Sequence, residues 1–401
     1  MTRMHAECVV VGGGPAGLTA AIALASSGVE TVLVAKAVNH ADPRTTALLH
    51  GSVNALATLA VWERCRCDAA PLRAIRMVDD TGRLVRAPEV LFQADEIGLE
   101  KFGHNVENRF LLAALEQRAR ALPSLMWVAD EAATLEIAER VATVALTNGA
   151  SVTCRLVIAA DGRDSLCRSA AGIRTSSRSY AQTALTFNLS HDRPHGDTST
   201  EFHTHTGPFT LVPLPGRRSS LVFVVHPDEA STILALPRNS LGQEIEQRSH
   251  SLLGKIDVEP ARASFPLEVR TAIRFGAHRI VLVGEAAHTL PPIGAQGLNL
   301  GLRDAAAISE LAVSAHRRGY DMGTSEVTDR YHRMRQADIA SRTLAVDLLN
   351  RSLLSDFLPM QAARSLALFS MDRMPSLRRT AMHEGVEPRF GQPRLMRGEA
   401  L

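Results

Sequence analysis

Four apolar residues in a row, Cys8 to Val11, with no polar position among them, predict a short strand buried on both faces. Glycines follow at once, then an Ala- and Leu-rich stretch from Leu18 to Ser27 that predicts a helix, which Gly28 stops. Thr31 to Val34 predicts the returning parallel strand. The same order of apolar run, glycine-and-acid turn and helix recurs twice. Leu156 to Ala160 leads into Asp161-Gly162-Arg163-Asp164-Ser165, and Arg279 to Val283 leads into Gly284-Glu285-Ala286-Ala287-His288. From Tyr180 to His226 the pattern changes to alternation. Thr183–Leu189, Glu201–Thr206, Phe209–Pro213 and Ser219–Val225 read as antiparallel strands, the last two joined by a turn at Pro215-Gly216.

Weaker patterns fill the rest. A helix is predicted from Ser52 to Trp62, a hairpin over 74–93 with its turn at Asp79 to Gly82, and an amphipathic helix from Asn108 to Arg120. Residues 125–158 read as a β-meander that includes Met126-Trp127-Val128, and 239–256 as a helix across the inserted sheet. Beyond Thr324 the chain is helical and rich in Arg, with its tail broken at Pro375 and Pro388. The predicted fold is therefore α/β: a mostly parallel sheet, an inserted antiparallel sheet and C-terminal helices.

The glycine run carries the first chemistry. Gly12, Gly14 and Gly17 have the G-x-G-x-x-G spacing directly after a strand and before a helix. Gly12 allows the tight turn, Gly14 lets a pyrophosphate reach the backbone, and Gly17 lets helix and strand pack. The helix N-terminus then faces the phosphates with its amides and dipole. A ribose-binding acid is expected at the end of the second strand, and Ala35 followed by Lys36 stands there instead. Arg44 and Arg109 each sit where a guanidinium reaches a phosphate, or else remain solvated surface charges. His203 and His205, two apart on one strand, face the same side, as metal ligands do, but no third ligand accompanies them, so the reading is pocket or surface histidines and no metal.

Composition narrows the class. The chain has 401 residues, a net charge of +2 and 4% aromatic residues, which argues against a nucleic-acid partner. No run approaches the ~18 apolar residues of a membrane span, and no signal peptide precedes Cys8. The five cysteines form no framework, and Cys65-Arg66-Cys67 has no matching pair, so reduced thiols and a cytoplasmic location are expected, with peripheral contact at the inner membrane as an extension.

Together the three anchors resemble the single-component FAD-dependent aromatic hydroxylases, the para-hydroxybenzoate hydroxylase class. Gly12, Gly14 and Gly17, with Pro15 and Ala16 between them, match its first fingerprint. Asp161-Gly162 with Ser165 and Arg168 matches D-G-x-x-S-x-x-R, and Gly284-Glu285-Ala286-Ala287-His288 through Gly297-Leu298-Asn299 matches the third segment, with Glu285 in place of Asp. Arg44-Thr45-Thr46-Ala47-Leu48, Tyr180-Ala181-Gln182 and Gly207-Pro208-Phe209 are similar to the ubiquinone-biosynthesis (UbiH-type) group within that class.

The resemblance implies a Rossmann-like FAD-binding fold of the glutathione-reductase type. Its FAD-binding parts are 1–75, 101–179 and 271–324; the substrate parts are a hairpin at 76–100 and a sheet at 180–270; residues 325–401 are the C-terminal helical region. It implies FAD bound by Gly12, Gly14, Pro15, Ala16, Gly17, Arg44, Arg109, Asp161, Gly162, Gly284, Glu285, Gly297, Leu298 and Asn299. NADPH or NADH is the implied reductant, and the substrates are O2 and an aromatic ring, polyprenylated in the ubiquinone case. Reduced FAD then activates O2 at its C4a carbon and transfers one oxygen atom to the ring. Pro292 lines the reaction side, and His203, His205 and Tyr180 are candidates for a pocket base by position alone. A hydroxylase of a small catabolic or secondary-metabolite phenol, a flavin dehydrogenase without oxygen transfer, and a non-catalytic flavin-binding scaffold of a biosynthetic complex share these anchors. An apolar stripe at Val346, Leu349, Leu353 and Phe357, with Asp347, Asn350 and Arg351 turned away, predicts a helix packed on its own domain or docked on a membrane or partner near Arg373, Arg378 and Arg379.

Overall fold

The computed structural model describes residues 2–37, 42–83, 86–355, 357–386 and 391–401, and the elements below are those of these residues. Pro388 lies outside them. The three apolar runs become neighbours in a six-stranded sheet. Its order is Gly276–Ala277, Ile280–Leu282, Leu156–Ala159, Cys8–Val11, Thr31–Val34 and Leu125–Val128. All its pairings are parallel except that of the first two strands. Every side chain of the Cys8, Thr31 and Leu156 strands is buried, as an unbroken apolar run requires. The helices Pro15–Ser26 and Gln296–Arg317 pack on this sheet and share its core.

Leu125–Val128 corrects the predicted meander. It is the outer strand of the parallel sheet, whereas Ala132–Ile137, Ala142–Leu146 and Ser151–Cys154 form a separate sheet with Arg3–His5. Periodicity did not separate these strands, because a four-residue run is too short to show which sheet it joins. Thr45–Leu49, directly after Arg44, is a strand that the pattern did not predict, and the helix expected from Ser52 to Trp62 spans His50–Thr58. That strand pairs with Gly103–Glu107, and Ala69–Leu72 completes a three-stranded sheet. The helix Asn108–Arg120 falls where predicted.

The inserted sheet has eight strands. In order they are His288–Thr289, Ile256–Ala272, Thr175–His191, Arg218–Val225, Gly207–Leu214, Thr198–Thr204, Ala74–Asp79 and Val90–Gln93. The last two are the predicted hairpin, and Ala74–Asp79 joins Thr198–Thr204 in parallel. Its second and third strands are 17 residues long, and of these only the centre of Thr175–His191 was predicted. The helix expected over 239–256 ends at Arg248, and the next strand begins at Ile256. One face of this sheet is apolar: Phe187, Phe209, Leu211, Leu221 and Phe223 pack under the helices Pro227–Ala235 and Arg238–Arg248.

Three helices close the chain: Ser325–Leu354, Leu358–Arg373 and Pro375–Val386. The first corrects the predicted stripe. Val346 and Leu353 are buried, but so is Asn350, which exchanges hydrogen bonds with Gln182, while Leu344 and Leu348 are exposed. Asp347 also turns inward, to Tyr180 and Arg178. Phe357 lies past the end of that helix and is exposed.

Candidate functional site: a nucleotide cradle against a sheet face

The first glycine turn has the geometry of a cradle. Gly12 adopts φ +116°, and a Cβ there would lie 2.1 Å from the Ala160 carbonyl oxygen; one on Gly17 would lie 2.1 Å from that of Gly12. Neither position admits a side chain. A Cβ on Gly14 meets nothing within 4 Å, so the backbone there is open to a ligand. The Pro15–Ser26 helix has no side-chain cap, and Pro15 at its start removes a donor that no carbonyl needs. A second uncapped N-terminus, that of Gln296–Arg317, belongs to the same site. The two helices touch through Ala16, since a Cβ added at Gly301 would lie 3.4 Å from the Ala16 Cβ and 3.1 Å from the Gly284 Cα. An open backbone flanked by two helix N-termini fits the diphosphate and the electron-rich ring edge of a flavin dinucleotide.

Ala35 is buried at the end of the Thr31–Val34 strand, its carbonyl accepting from Trp127 Nε1 at 3.0 Å. Lys36 beside it pairs with Glu131 at 2.7 Å on the surface. Arg44 donates from Nε and Nη2 to Asp42, which also accepts from Asn108 Nδ2. Burial opposes ionisation of Asp42, but the bonds from Arg44 and Asn108 overcome it and hold this carboxyl below its usual range. Arg44 is held more firmly charged by its bond to Asp42, and the Glu285 carboxylate adds to this, which sets Arg44 and Glu285 within electrostatic reach. Arg109 pairs with buried Glu107 at 2.9 Å and lies over the Phe110 ring.

The second and third anchors brace each other. Asp161 accepts from Ser165 Oγ at 2.6 Å and from the Cys167 amide at 3.0 Å, and Ser165 Oγ caps the next helix at Arg168 N. Arg168 then donates to the carbonyls of Ala286 and Arg163. In this chain the D-G-x-x-S-x-x-R side chains tie the two loops together, while Glu285 is exposed. Asn299 is also a brace: its Oδ1 accepts from Leu49 N and Ser52 Oγ, and its Nδ2 donates to the Ala47 and Ala295 carbonyls. Its backbone amide, with those of Gly297 and Leu298, lies in the first turn of the uncapped helix.

Beneath this turn lies a buried ionic network that the motifs did not foretell. Asp304 accepts from His288 Nε2 at 2.7 Å, Gly284 N at 3.1 Å and Arg335 Nε at 2.6 Å. Arg335, Arg303 and Arg342 all converge on Asp338. Burial disfavours the Asp304 charge, but His288 and Arg335 outweigh it and keep the carboxyl ionised. Arg303-Asp304 beside an apolar helix face was the only local signal, because Arg335 lies 31 residues away.

The polar face of the inserted sheet supplies the opposite wall. Thr186, Asn188, Thr210, Val212, Ser220 and Val222 occupy its central positions, and Thr210, Val212 and Val222 are half-exposed although they are mid-sheet. Segments next to the cradle stand against this face: Asn105 Nδ2 donates to Pro213 O and Ser220 Oγ, and Asn188 Nδ2 reaches Pro43 O. The candidate pocket residues separate. His203 is buried on this face against Glu201, while His205 is exposed in the following turn, so the two do not share a face as predicted. His205 instead lines a cavity of about 360 Å³ with Arg83, Gln182, His226 and Leu354. The Tyr180 hydroxyl donates to Asp347 and so latches the Ser325–Leu354 helix; burial first, then Asp347, pushes its pKa up, which removes it as a base near neutral pH. Pro292 is half-buried in the loop before Gln296.

Comparison with known proteins agrees with this geometry. The family described as FAD binding domain matches residues 5–344. Ubiquinone hydroxylase UbiL of Rhodospirillum rubrum is 34% identical over 99% of this chain and 94% of its own length. The 3-demethoxyubiquinol 3-hydroxylase of Escherichia coli is 30% identical over 95% of this chain and 98% of its own. Among solved structures, p-nitrophenol 4-monooxygenase from Pseudomonas putida superposes with a TM-score of 0.79 at 20% identity, covering 97% of this chain and all of that one. HpxO of Klebsiella pneumoniae with FAD and uric acid gives 0.73 at 20% identity, covering 94% and 96%. The chain belongs to this FAD-binding family and is an FAD-dependent aromatic-ring monooxygenase.

Proposed function

We propose that the enzyme hydroxylates the ring of a ubiquinone precursor, with O2 as oxygen source and NADPH or NADH as reductant. The observation that carries this reading is the cradle facing a sheet wall that stays accessible at Thr210, Val212 and Val222. The near full-length similarity to two ubiquinone-pathway hydroxylases supports the substrate class. When bound and reduced, FAD supplies the activation of O2. The protein's share is binding, positioning and exclusion of water. Gly12, Gly14, Pro15, Ala16 and Gly17 would hold the diphosphate, with Arg44 and Arg109 at its flank. Asp161, Gly162, Gly284 and Glu285 would border the ribityl chain. The amides of Gly297, Leu298 and Asn299 would stabilise the ring edge that becomes electron-rich, and Pro292 would border the substrate side.

A polyprenyl tail resists transfer to water, since each exposed CH2 costs about 0.8 kcal/mol, so such a substrate is met at a lipid surface. The region that suits this contact is the C-terminal helices. Of the fourteen exposed large apolar side chains among the described residues, nine lie between 344 and 377, including Leu344, Leu348, Phe357, Leu366 and Phe369.

The test is turnover of a short-chain precursor. Purified enzyme should contain non-covalent FAD and couple NAD(P)H oxidation and O2 uptake to a hydroxylated product. A strain lacking the enzyme should accumulate the precursor short of one hydroxyl. Oxidation without oxygen in the product, or an unchanged quinone pool, overturns the reading.

A further inference from the structure

One pair on the polar sheet face has no part in the roles above. Glu201 and His203 stand two residues apart on the Thr198–Thr204 strand, 8% and 1% exposed. Glu201 Oε1 lies 2.8 Å from His203 Nε2, and Oε2 accepts from Thr210 Oγ1 at 3.3 Å. No arginine or lysine pairs with Glu201 among the described residues. A buried carboxylate held only by an imidazole and a hydroxyl is costly, and packing alone does not call for it. Its place in the sheet suggests its use. Cross-strand pairing puts Glu201, Thr210, Val222 and Thr186 in one row, and Thr210 and Val222 are two of the accessible positions of the wall.

The ionisable groups that neighbouring elements bring to this end of the sheet are otherwise engaged. Asp79, beside His203 in the parallel pairing, is bound by Arg364 from the Leu358–Arg373 helix. Asp347, from the Ser325–Leu354 helix, is bound by Tyr180, Arg178 and Arg351. His205 and His226 are exposed around the neighbouring cavity, with Arg83.

We infer that Glu201 accepts the proton of a ring hydroxyl of the substrate, with His203 as its positioning residue. This rests on the reading of the enzyme as a ring hydroxylase. The substrate class is a phenol whose hydroxyl is ortho or para to the carbon that is oxidised. As the new C–O bond forms from the ring's π electrons, the O–O bond of the two-electron-reduced O2 breaks and its electron pair stays on the oxygen left behind, while positive charge moves to the ring hydroxyl and makes it far more acidic than a carboxylic acid. Its O–H bond then breaks, the electron pair becomes the C=O of a dienone, and the proton goes to Glu201 Oε2. When the ring regains aromaticity, the carbon loses its hydrogen as a proton, which balances the negative oxygen left by O–O cleavage, and the ring oxygen recovers its proton from Glu201, so the pair ends as it began. His203 Nε2–H donates to Oε1 throughout and fixes the rotamer that presents Oε2.

The test is Glu201→Gln, which keeps shape and both hydrogen-bond partners. With FAD content and thermal unfolding unchanged, kcat should fall by about 10²- to 10⁴-fold, the usual contribution of a general base, with little change in KM. Activity should recover in alkali, where the substrate hydroxyl ionises by itself, and His203→Gln should show a smaller loss. An equilibrium measurement without reductant gives a second reading. A chromophoric phenol such as 4-nitrophenol, bound to the FAD-loaded protein, should ionise at lower pH in Glu201→Gln, because the carboxylate that favoured its neutral form is gone. An equal loss at every pH, or an unshifted titration of the bound phenol, overturns the assignment. Failure of the wild type to hydroxylate any phenol would instead strike the proposed function.

Discussion

Ala35 is the residue at which this chain departs most clearly from its fingerprint. The backbone there is spent on the sheet and on Trp127, and the side chain offers no acceptor to a ribose. Ala35→Glu should therefore tighten FAD by the worth of a charged hydrogen bond, about 1.5–3 kcal/mol, read as a lower Kd in a flavin-fluorescence titration. An unchanged or weaker Kd would mean that the ribose is held elsewhere. A second single-residue expectation concerns acid stability. Burial, helped by Lys101, pushes His104 down to about 4, and its ring packs against Trp62 at a tilt of 52°. Above its unfolded value of about 6.5 the ring is neutral in both states. As pH falls from there to about 4, only the unfolded chain gains the proton, so stability is lost across that window and levels off below it. The difference in thermal midpoint between the parent and His104→Gln should follow this course. At this scale the glycines were legible, since the spacing of Gly12, Gly14 and Gly17 states their geometry locally. Glu201 was not: nothing beside it in the sequence reveals that Thr210 and Val222 complete its row.

Among the elements, the buried strands and the Pro15–Ser26 helix were readable because their neighbours along the chain supply the pattern. The long strand Ile256–Ala272 was not, because its burial alternates irregularly and Pro260 and Pro266 interrupt the expected run. The Ser325–Leu354 helix shows how an apolar stripe misleads. Its inner face is fixed by polar pairs, Asn350 with Gln182 and Asp347 with Tyr180, so several leucines are left outside. The lipid contact proposed above would fall on that outer face, and Arg378 is a poor probe of it because it is paired with Glu96. Replacing Leu344 and Leu348 by Asp should move the protein from anionic phospholipid vesicles to the supernatant in a flotation assay, with FAD content unchanged. If the parent does not float with vesicles, the docking part of the proposal is wrong and the ring chemistry stands.

For the whole molecule, the sheet order carries a consequence for how the enzyme is made. The strand that completes the parallel sheet beside Leu156–Ala159 is Ile280–Leu282, and the second helix N-terminus of the cradle begins at Gln296. The glycine turn at Gly12 leaves the ribosome about 280 residues earlier, roughly a quarter of a minute to a minute at 5–20 residues per second. Until Ile280–Leu282 arrives, Leu156–Ala159 pairs with Cys8–Val11 on one side and leaves an apolar edge unpaired on the other, the condition that invites aggregation and engages chaperones. Flavin capture is then a late event in biogenesis. Stalled nascent chains ending near residue 270 should retain no FAD and should be bound by chaperones, whereas release past the Gln296–Arg317 helix should allow loading. FAD retained by the shorter chains would show that the first glycine turn suffices alone.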